Sequence, residues 1–202
     1  MAQNPGSGSL DQVLRFLKLM ALSSAYATEV ANLIAAADPT TAGVLKYAVL
    51  DANGQSQNLD LIDNDYKDLT WISPSIAAAQ ITDGLRIEPP FPRLSLVAQP
   101  GSVLRDSKGN EFRADQGPIV GYQYVVDCIL ITVNGDPNAA FREAQIHAEA
   151  LDRLIARNWF LGGLVRLIQS SGPGVPATAP YKGMGAVGGA HLRLTADVER
   201  QV

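Results

Sequence analysis

Apolar residues recur at helical spacing from the start of the chain. Leu10, Val13, Leu14, Leu17, Met20, Ala21, Ser24, Thr28, Ala31 and Ile34 form one stripe, and Phe16, Leu19, Tyr26, Val30 and Leu33 form a second beside it. The pattern predicts one long helix, opened by a capping box of Ser9 and Gln12 and closed at Asp38-Pro39. A helix apolar around that much of its circumference needs cover on two sides. The sheet would cover the first stripe and a neighbouring subunit the second. Residues 1–9, polar and rich in Gly and Ser, read as a flexible tail.

Extended segments follow. Val44 to Leu50 and Ser56 to Ile62 flank Asn53-Gly54, a strong hairpin signal. Trp71, Ile72 and Ile76 then lead into an Ala-rich piece, Ser75 to Ile81, that predicts one or two helical turns, so residues 43–88 read as an insertion with its own hairpin. A strand from Arg93 to Gln99 puts Leu94, Leu96 and Ala98 on one face and is expected to stop at Pro100-Gly101. A further turn is expected at Lys108-Gly109-Asn110. Ile119 to Val133 is the longest strand. Tyr122, Tyr124, Val126, Cys128 and Leu130 share one face, and Val125, Ile129, Ile131 and Val133 the other, the pattern of a central strand covered on both sides.

Asp136-Pro137 opens a second helix, an N-cap Asp followed by Pro at the first helical position, and it runs to about Asn158. Its apolar stripe is Ala140, Ala144, His147, Ala148, Leu151, Leu154 and Ile155. Arg142, Glu143, Gln145, Glu149, Asp152 and Arg153 make the wet face. Leu164 to Gln169 reads as a short strand and Ser170 to Pro180 as a Gly/Pro loop. In the last strand Ala190, Leu192, Leu194, Ala196 and Val198 alternate with His191, Arg193, Thr195, Asp197 and Glu199. The elements add up to one α+β domain, a sheet packed against two main helices.

Composition sharpens this picture in two ways. Apolar residues make up 47% of the 202, enough for a core, while charged residues at 18% undersupply an ordinary surface. The deficit fits either an Ala- and Gly-rich chain or a surface buried against other subunits. The net charge of −4 argues against a protein that neutralises many phosphates. One cysteine, Cys128, excludes an intrachain disulfide. Arg15, Lys18 and Glu29 interrupt the first apolar segment, which therefore reads neither as a signal peptide nor as a membrane span.

Candidate chemistry fails on context. Gly183, Gly185 and Gly188 match the letters of G-x-G-x-x-G, but an alternating strand follows where a dinucleotide site needs a helix N-terminus. Asp51, Asn53 and Gln55 resemble the start of a calcium loop, yet Ile62 stands where the bidentate Glu belongs. Asp60, Asp63, Asp65 and Asp68 crowd one polar segment, a weak cation site or a solvated acidic loop. Two histidines and Cys128 cannot supply a zinc site, and Cys128 sits mid-strand as a core residue rather than a nucleophile. No catalytic, cofactor or metal residue is assigned.

The order of elements resembles the tail terminator (tail-completion, or neck) proteins of tailed bacteriophages. The resemblance is carried by the first helix, then FPRLSLV, GYQYVVDCILITV, DPNAAFREAQIHAEALDRLIA, LGGLVRLIQ and VGGAHLRLTADVE. It implies a mostly antiparallel sheet against helices and a non-enzymatic virion protein of the tail or neck, assembled in the host cytoplasm. It also implies a homohexameric ring that caps the head-proximal end of the tail tube and meets the head-completion complex. DNA would pass its lumen without specific binding, and no cofactor or membrane is implied. The 43–88 stretch departs from a minimal member and suits contact with a sheath or neck accessory protein. A ring needs two different complementary surfaces on each subunit. Phe16, Leu19, Tyr26, Val30, Leu33, Val125, Ile129 and Ile131 are the candidates for subunit contact. Arg105, Lys108, Tyr181 and Lys182, in loops 101–117 and 170–183, are the candidates for axial contacts. Another neck or baseplate protein, or a small-molecule-binding α+β domain, fits the same grammar.

Overall fold

The computed structural model describes residues 6–37, 46–50, 52–60, 69, 71–104, 119–174, 177–183 and 185–201. The fold is α+β. Its helices are α1 (Leu10–Ala21), α2 (Ser24–Ala37) and α3 (Pro137–Arg157). Its strands are β1 (Lys46–Leu50), β2 (Ser56–Asp60), β3 (Ile81–Asp83), β4 (Arg93–Leu104), β5 (Ile119–Asn134), β6 (Leu167–Pro173), β7 (Ala177–Pro180) and β8 (Ala186–Gln201). The main sheet runs β3-β4-β5-β8-β6, with β7 also paired to β8, and is antiparallel except where β3 lies parallel to β4.

Alternation along the strands gives the sheet an inner and an outer face. Leu94, Leu130 and Ala190 stand in one cross-strand row, and Leu96, Cys128 and Leu192 in the next. All six are buried in one core with residues from α1, α2 and α3, so these helices cover this inner face. The expected stripe of α3 is buried along its whole length. Asp136 caps the helix as its sequence predicts, its side chain accepting from the Asn138 N–H at 2.9 Å.

The approach of α3 to the sheet depends on one glycine. A Cβ built on Gly188 would lie 2.2 Å from the Ala140 carbonyl oxygen, and Thr132, opposite Gly188 on β5, donates its hydroxyl to that same oxygen at 2.6 Å. Small side chains here let the first turn of α3 rest on the sheet backbone.

The first helix is two helices. The chain breaks at Leu22-Ser23, α1 and α2 bend by 52°, and Ser23 serves both ends. Its hydroxyl donates to the Met20 carbonyl at 2.6 Å and accepts from the Tyr26 N–H at 3.2 Å. The break shifts the phase of the pattern. Val13, Leu17, Met20 and Ala21 are buried as predicted, but in α2 the second stripe, Tyr26, Val30 and Leu33, enters the core while Ser24, Thr28 and Ala31 face solvent. The predicted stop at Asp38-Pro39 lies outside the described residues.

Other boundaries also move. Pro100-Gly101 does not end β4 but makes an irregularity between Gln99 and Ser102, since a bulge tolerates a missing N–H. The strand expected at Leu164 to Gln169 begins at Leu167, after a single 3-10 turn at Leu161–Gly163. Much of the expected Ser170 to Pro180 loop is strand, because β6 and β7 both pair along β8. Residues 6–9 are not a loose tail. Gly6 and Gly8 donate to the carbonyls of Gly163 and Leu164, each at 2.7 Å, and Gly6 accepts from Glu199 N–H at 2.8 Å.

The 43–88 stretch divides. The β1–β2 hairpin forms with Asn53-Gly54 at its turn and Gly54 at φ +74°, as the sequence predicts. Past it, Leu69, Ile72 and Ile76 are buried in the main core and β3 extends the main sheet. The Ala-rich piece gives only a 3-10 turn at Ala78–Gln80. The Lys108-Gly109-Asn110 turn lies outside the described residues.

Two tests follow from this packing. Gly188→Ala should lower unfolding stability by about 1–3 kcal/mol, read as a fall in the urea midpoint. Leu33→Asp, which places a carboxylate in the core, should cost at least about 3 kcal/mol, whereas Leu19→Asp, at a position 67% exposed, should stay within about 0.5 kcal/mol of the parent.

Candidate subunit-interface site

The outer face of the sheet carries chemistry that the apolar pattern of β5 does not suggest. Asp127 points outward, and the antiparallel register sets it between Val97 of β4 and Arg193 of β8. Its row neighbours are Ser95, Ile129 and His191 on one side and Gln99, Val125 and Thr195 on the other. Four donors converge on this one carboxylate. Arg193 donates from Nε to Oδ1 at 2.8 Å and from Nη2 to Oδ2 at 3.1 Å, His191 Nε2 meets Oδ1 at 2.8 Å, and Gln99 Nε2 donates to Oδ2 at 2.9 Å. The Arg193 bonds, then those of His191 and Gln99, hold the Asp127 carboxyl well below the usual carboxylate range despite its burial. Asp127 is 5% exposed, while the side chains of His191 and Arg193 are about half exposed. The cluster therefore ties β4, β5 and β8 together from outside and leaves an imidazole and a guanidinium partly open to solvent.

Over the β4 side of this face runs a strap, residues 84–92. Gly84 N–H donates to the Leu96 carbonyl at 2.8 Å and Arg86 N–H to Ser95 Oγ at 3.3 Å. Arg93, 4% exposed, donates from Nε to Glu88 O at 2.7 Å and from Nη2 to Pro89 O at 3.0 Å. Tyr181 fastens the other side, its hydroxyl donating to Ile87 O at 3.2 Å and its ring meeting Phe91 edge-on. Leu85 and Ile87 remain exposed on the strap.

The expected contact residues separate accordingly. Val125 and Ile129 are half-buried on the outer face, where they were expected. Ile131 shares that face but is 3% exposed, in the row of the buried Arg93, and offers no surface. Leu19 is exposed and Phe16 half-buried, packed near Gly162. Tyr26, Val30 and Leu33 are core residues, withdrawn from the candidate interface by the turn between α1 and α2. Of the axial candidates, Lys182 is exposed above the Tyr181 ring, and Tyr181 is buried against the strap instead of projecting. Arg105 and Lys108 lie outside the described residues. A second exposed apolar area belongs to the helical layer, with Leu19 and Leu22 at the end of α1 and the contacting rings of Trp159 and Phe160 after α3.

The sites considered for other chemistry stay apart. Cys128 is fully buried on the inner face, where burial, and then the Asp127 charge, push its thiol up. Gly183 and Gly185 have positive φ in the turn between β7 and β8, and no helix follows. Asn53 lies in the hairpin turn, while Asp51, Asp63, Asp65 and Asp68 fall outside the described residues. Among the described residues no group of His, Cys, Asp and Glu is arranged to hold a metal ion. No single helix among them is long and apolar enough to cross a membrane, and the bent α1–α2 pair, which passes by length and composition, buries its apolar face in the core. In sequence comparisons, no family model matches the chain and no curated protein matches it significantly.

A buried polar cluster joins α2 to α3. Tyr26 Oη and His147 Nδ1 share a hydrogen bond of 2.7 Å, and His147 Nε2 has no partner among the described residues. Burial, with Glu143 adding to it, raises Tyr26 well above its usual range. Glu143, one helical turn before His147 and expected on the wet face, is 8% exposed. Burial raises its carboxyl from the ordinary 4.5 to about 7 and lowers His147 from the ordinary 6.5 to about 4. Between pH 4.5 and 6.5 the folded protein therefore holds one proton on Glu143 while the unfolded chain holds one on His147, and their contributions to the pH slope nearly cancel.

Single substitutions expose the two slopes. In Glu143→Gln only the depressed His147 remains, so stability should fall as pH drops from 6.5 toward 4, by up to about 1.4 kcal/mol per pH unit. In His147→Gln only the raised Glu143 remains, so stability should fall as pH rises from 4.5 toward 7. Urea unfolding of both variants across that range checks the opposite signs.

Proposed function

We propose that this chain is a structural, non-enzymatic virion subunit, a tail terminator that assembles as a homohexameric ring on the head-proximal end of a phage tail tube. The observation that carries the reading is the one-sided cover of the sheet. The helices bury the inner face and the outer face keeps half-buried Val97, Val125 and Ile129 beside the Asp127 cluster. A second exposed area, Leu19, Leu22, Trp159 and Phe160, lies in the helical layer. A closed ring joins unlike surfaces of successive subunits, so a subunit needs more than one such area. Exposed aromatic side chains suit anchoring on a protein partner such as the tube. The resemblance in element order, with the α+β fold and mostly antiparallel sheet, supports the same reading.

In this role the outer sheet face meets a neighbouring subunit and the helical-layer area meets the tail tube below or the head-completion complex above. The few acidic and basic side chains give the ring little affinity for the DNA that passes its lumen. Mass photometry and negative-stain imaging of the purified full chain, alone and mixed with tail tubes lacking a cap, test the proposal. The expected result is six-subunit rings, free in solution or at one end of the tubes. A monomer at every concentration that never decorates a tube end overturns it.

A further inference from the structure

The end of the outer face beneath the strap is cationic and apolar together. Leu85 and Ile87 are exposed on the strap, and Arg86 and Lys182 are exposed beside them. Strap contacts locate these residues, since Arg86 N–H is bonded to Ser95 and Tyr181 to Ile87 O. Ser95 stands in the row that continues through Ile129 to the half-exposed His191, next to Arg193. The carboxylates nearby are few. Among the described residues those beside the strap are Asp127, engaged by four donors, Glu88, and Asp83, which is paired with Lys18. The buried Arg93 is bonded to two backbone carbonyls and adds positive charge under the strap.

The chain also contains a segment of the opposite character. Residues 60–68 hold four carboxylates, Asp60, Asp63, Asp65 and Asp68, against the single Lys67, and interleave them with Leu61, Ile62 and Tyr66. Most of the protein's net charge of −4 is concentrated there. Acidic groups alternating with large apolar ones are the complement of an apolar strap rimmed by guanidinium, imidazole and ammonium groups. We infer that residues 60–68 of one copy dock on the strap surface of the next copy, around Arg86, Ile87, Lys182 and Arg193. This rests on the ring reading for its role, and it names the two unlike surfaces that a head-to-tail contact requires.

Charge exchange between copies tests it with the full-length protein. One variant, R86E/K182E, reverses the strap surface, and a second, D63K/D65K, reverses the segment. Both strap positions are exposed and their side chains carry no described hydrogen bond to another residue, so thermal unfolding should remain at the parent's temperature. Each variant alone should self-associate at least about tenfold more weakly than the parent, a loss of about 1.4 kcal/mol. An equimolar mixture should co-assemble as alternating copies, because the intact segment of one meets the intact strap of the other and the reversed segment meets the reversed strap. The quadruple variant should recover assembly, and added salt should weaken assembly of the parent. Rings of normal size from both single-surface variants overturn the docking while leaving the ring reading in place. Alternating assembly in the mixture, from a parent that associates without closing rings, upholds the docking and overturns the ring. Parent-like association of both variants together with a lowered unfolding temperature in each assigns the segment to its own copy's strap and overturns docking between copies. A parent that never self-associates overturns both.

Discussion

The β5–β8 ladder pairs Ile119 with Gln201 through Asn134 with Ala186 in one unbroken register, and every other part of the sheet is built out from it. Because side chains alternate along a strand, that one register assigns each residue of two long strands to a face. It puts Val126, Cys128 and Leu130 opposite Leu194, Leu192 and Ala190 beneath α3, and in the same step it puts Asp127 opposite Arg193 on the other side. A slip of one residue would carry Asp127 into the core and lose its donors. The apolar rows and the polar cluster therefore enforce the same register from opposite faces.

Helix α3 depends on that ladder as well. Gly188 lies opposite Thr132, which removes a side chain where the first turn of α3 arrives and places a hydroxyl to meet the Ala140 carbonyl. Once α3 is down, α2 joins it through Tyr26 and His147, and Arg157 pairs with the buried Glu29. Small residues thus bring α3 onto the sheet, and polar pairs join α2 to α3. The cost of burying Glu143 and His147 is met by keeping both neutral, which burial favours for a carboxyl and an imidazole alike.

The helices leave the outer face open, and its polar cluster and half-buried apolar side chains stand there together. Its strap closes only the end near Arg93 and Ile131, and the open remainder mixes half-buried Val125 and Ile129 with the exposed sides of His191 and Arg193. Hydrated charged groups beside half-buried apolar area suit the subunit contact proposed for this face. The low proportion of charged residues in the chain is consistent with a surface that is partly set aside in this way.

Periodicity and end signals alone determined the α+β class, the capped start of α1, the Asp136-Pro137 start of α3 and its buried stripe, the Asn53-Gly54 hairpin and the alternation of β5 and β8. These are local patterns, in which a residue's neighbours in sequence are its neighbours in space. The tertiary structure decided the rest. A break at Ser23 rotated the stripe, so that Tyr26, Val30 and Leu33 went to the core and only Leu19 and Phe16 kept any surface. Pairing along β8 turned an expected loop into β6 and β7, and the strap buried Ile131 and Tyr181. The Asp127 cluster could have been suspected from one carboxylate in an apolar strand, but its partners His191 and Arg193 lie more than sixty residues away. Only the register between β5 and β8 brings them within hydrogen-bond distance, and register is a property of the whole sheet rather than of either strand.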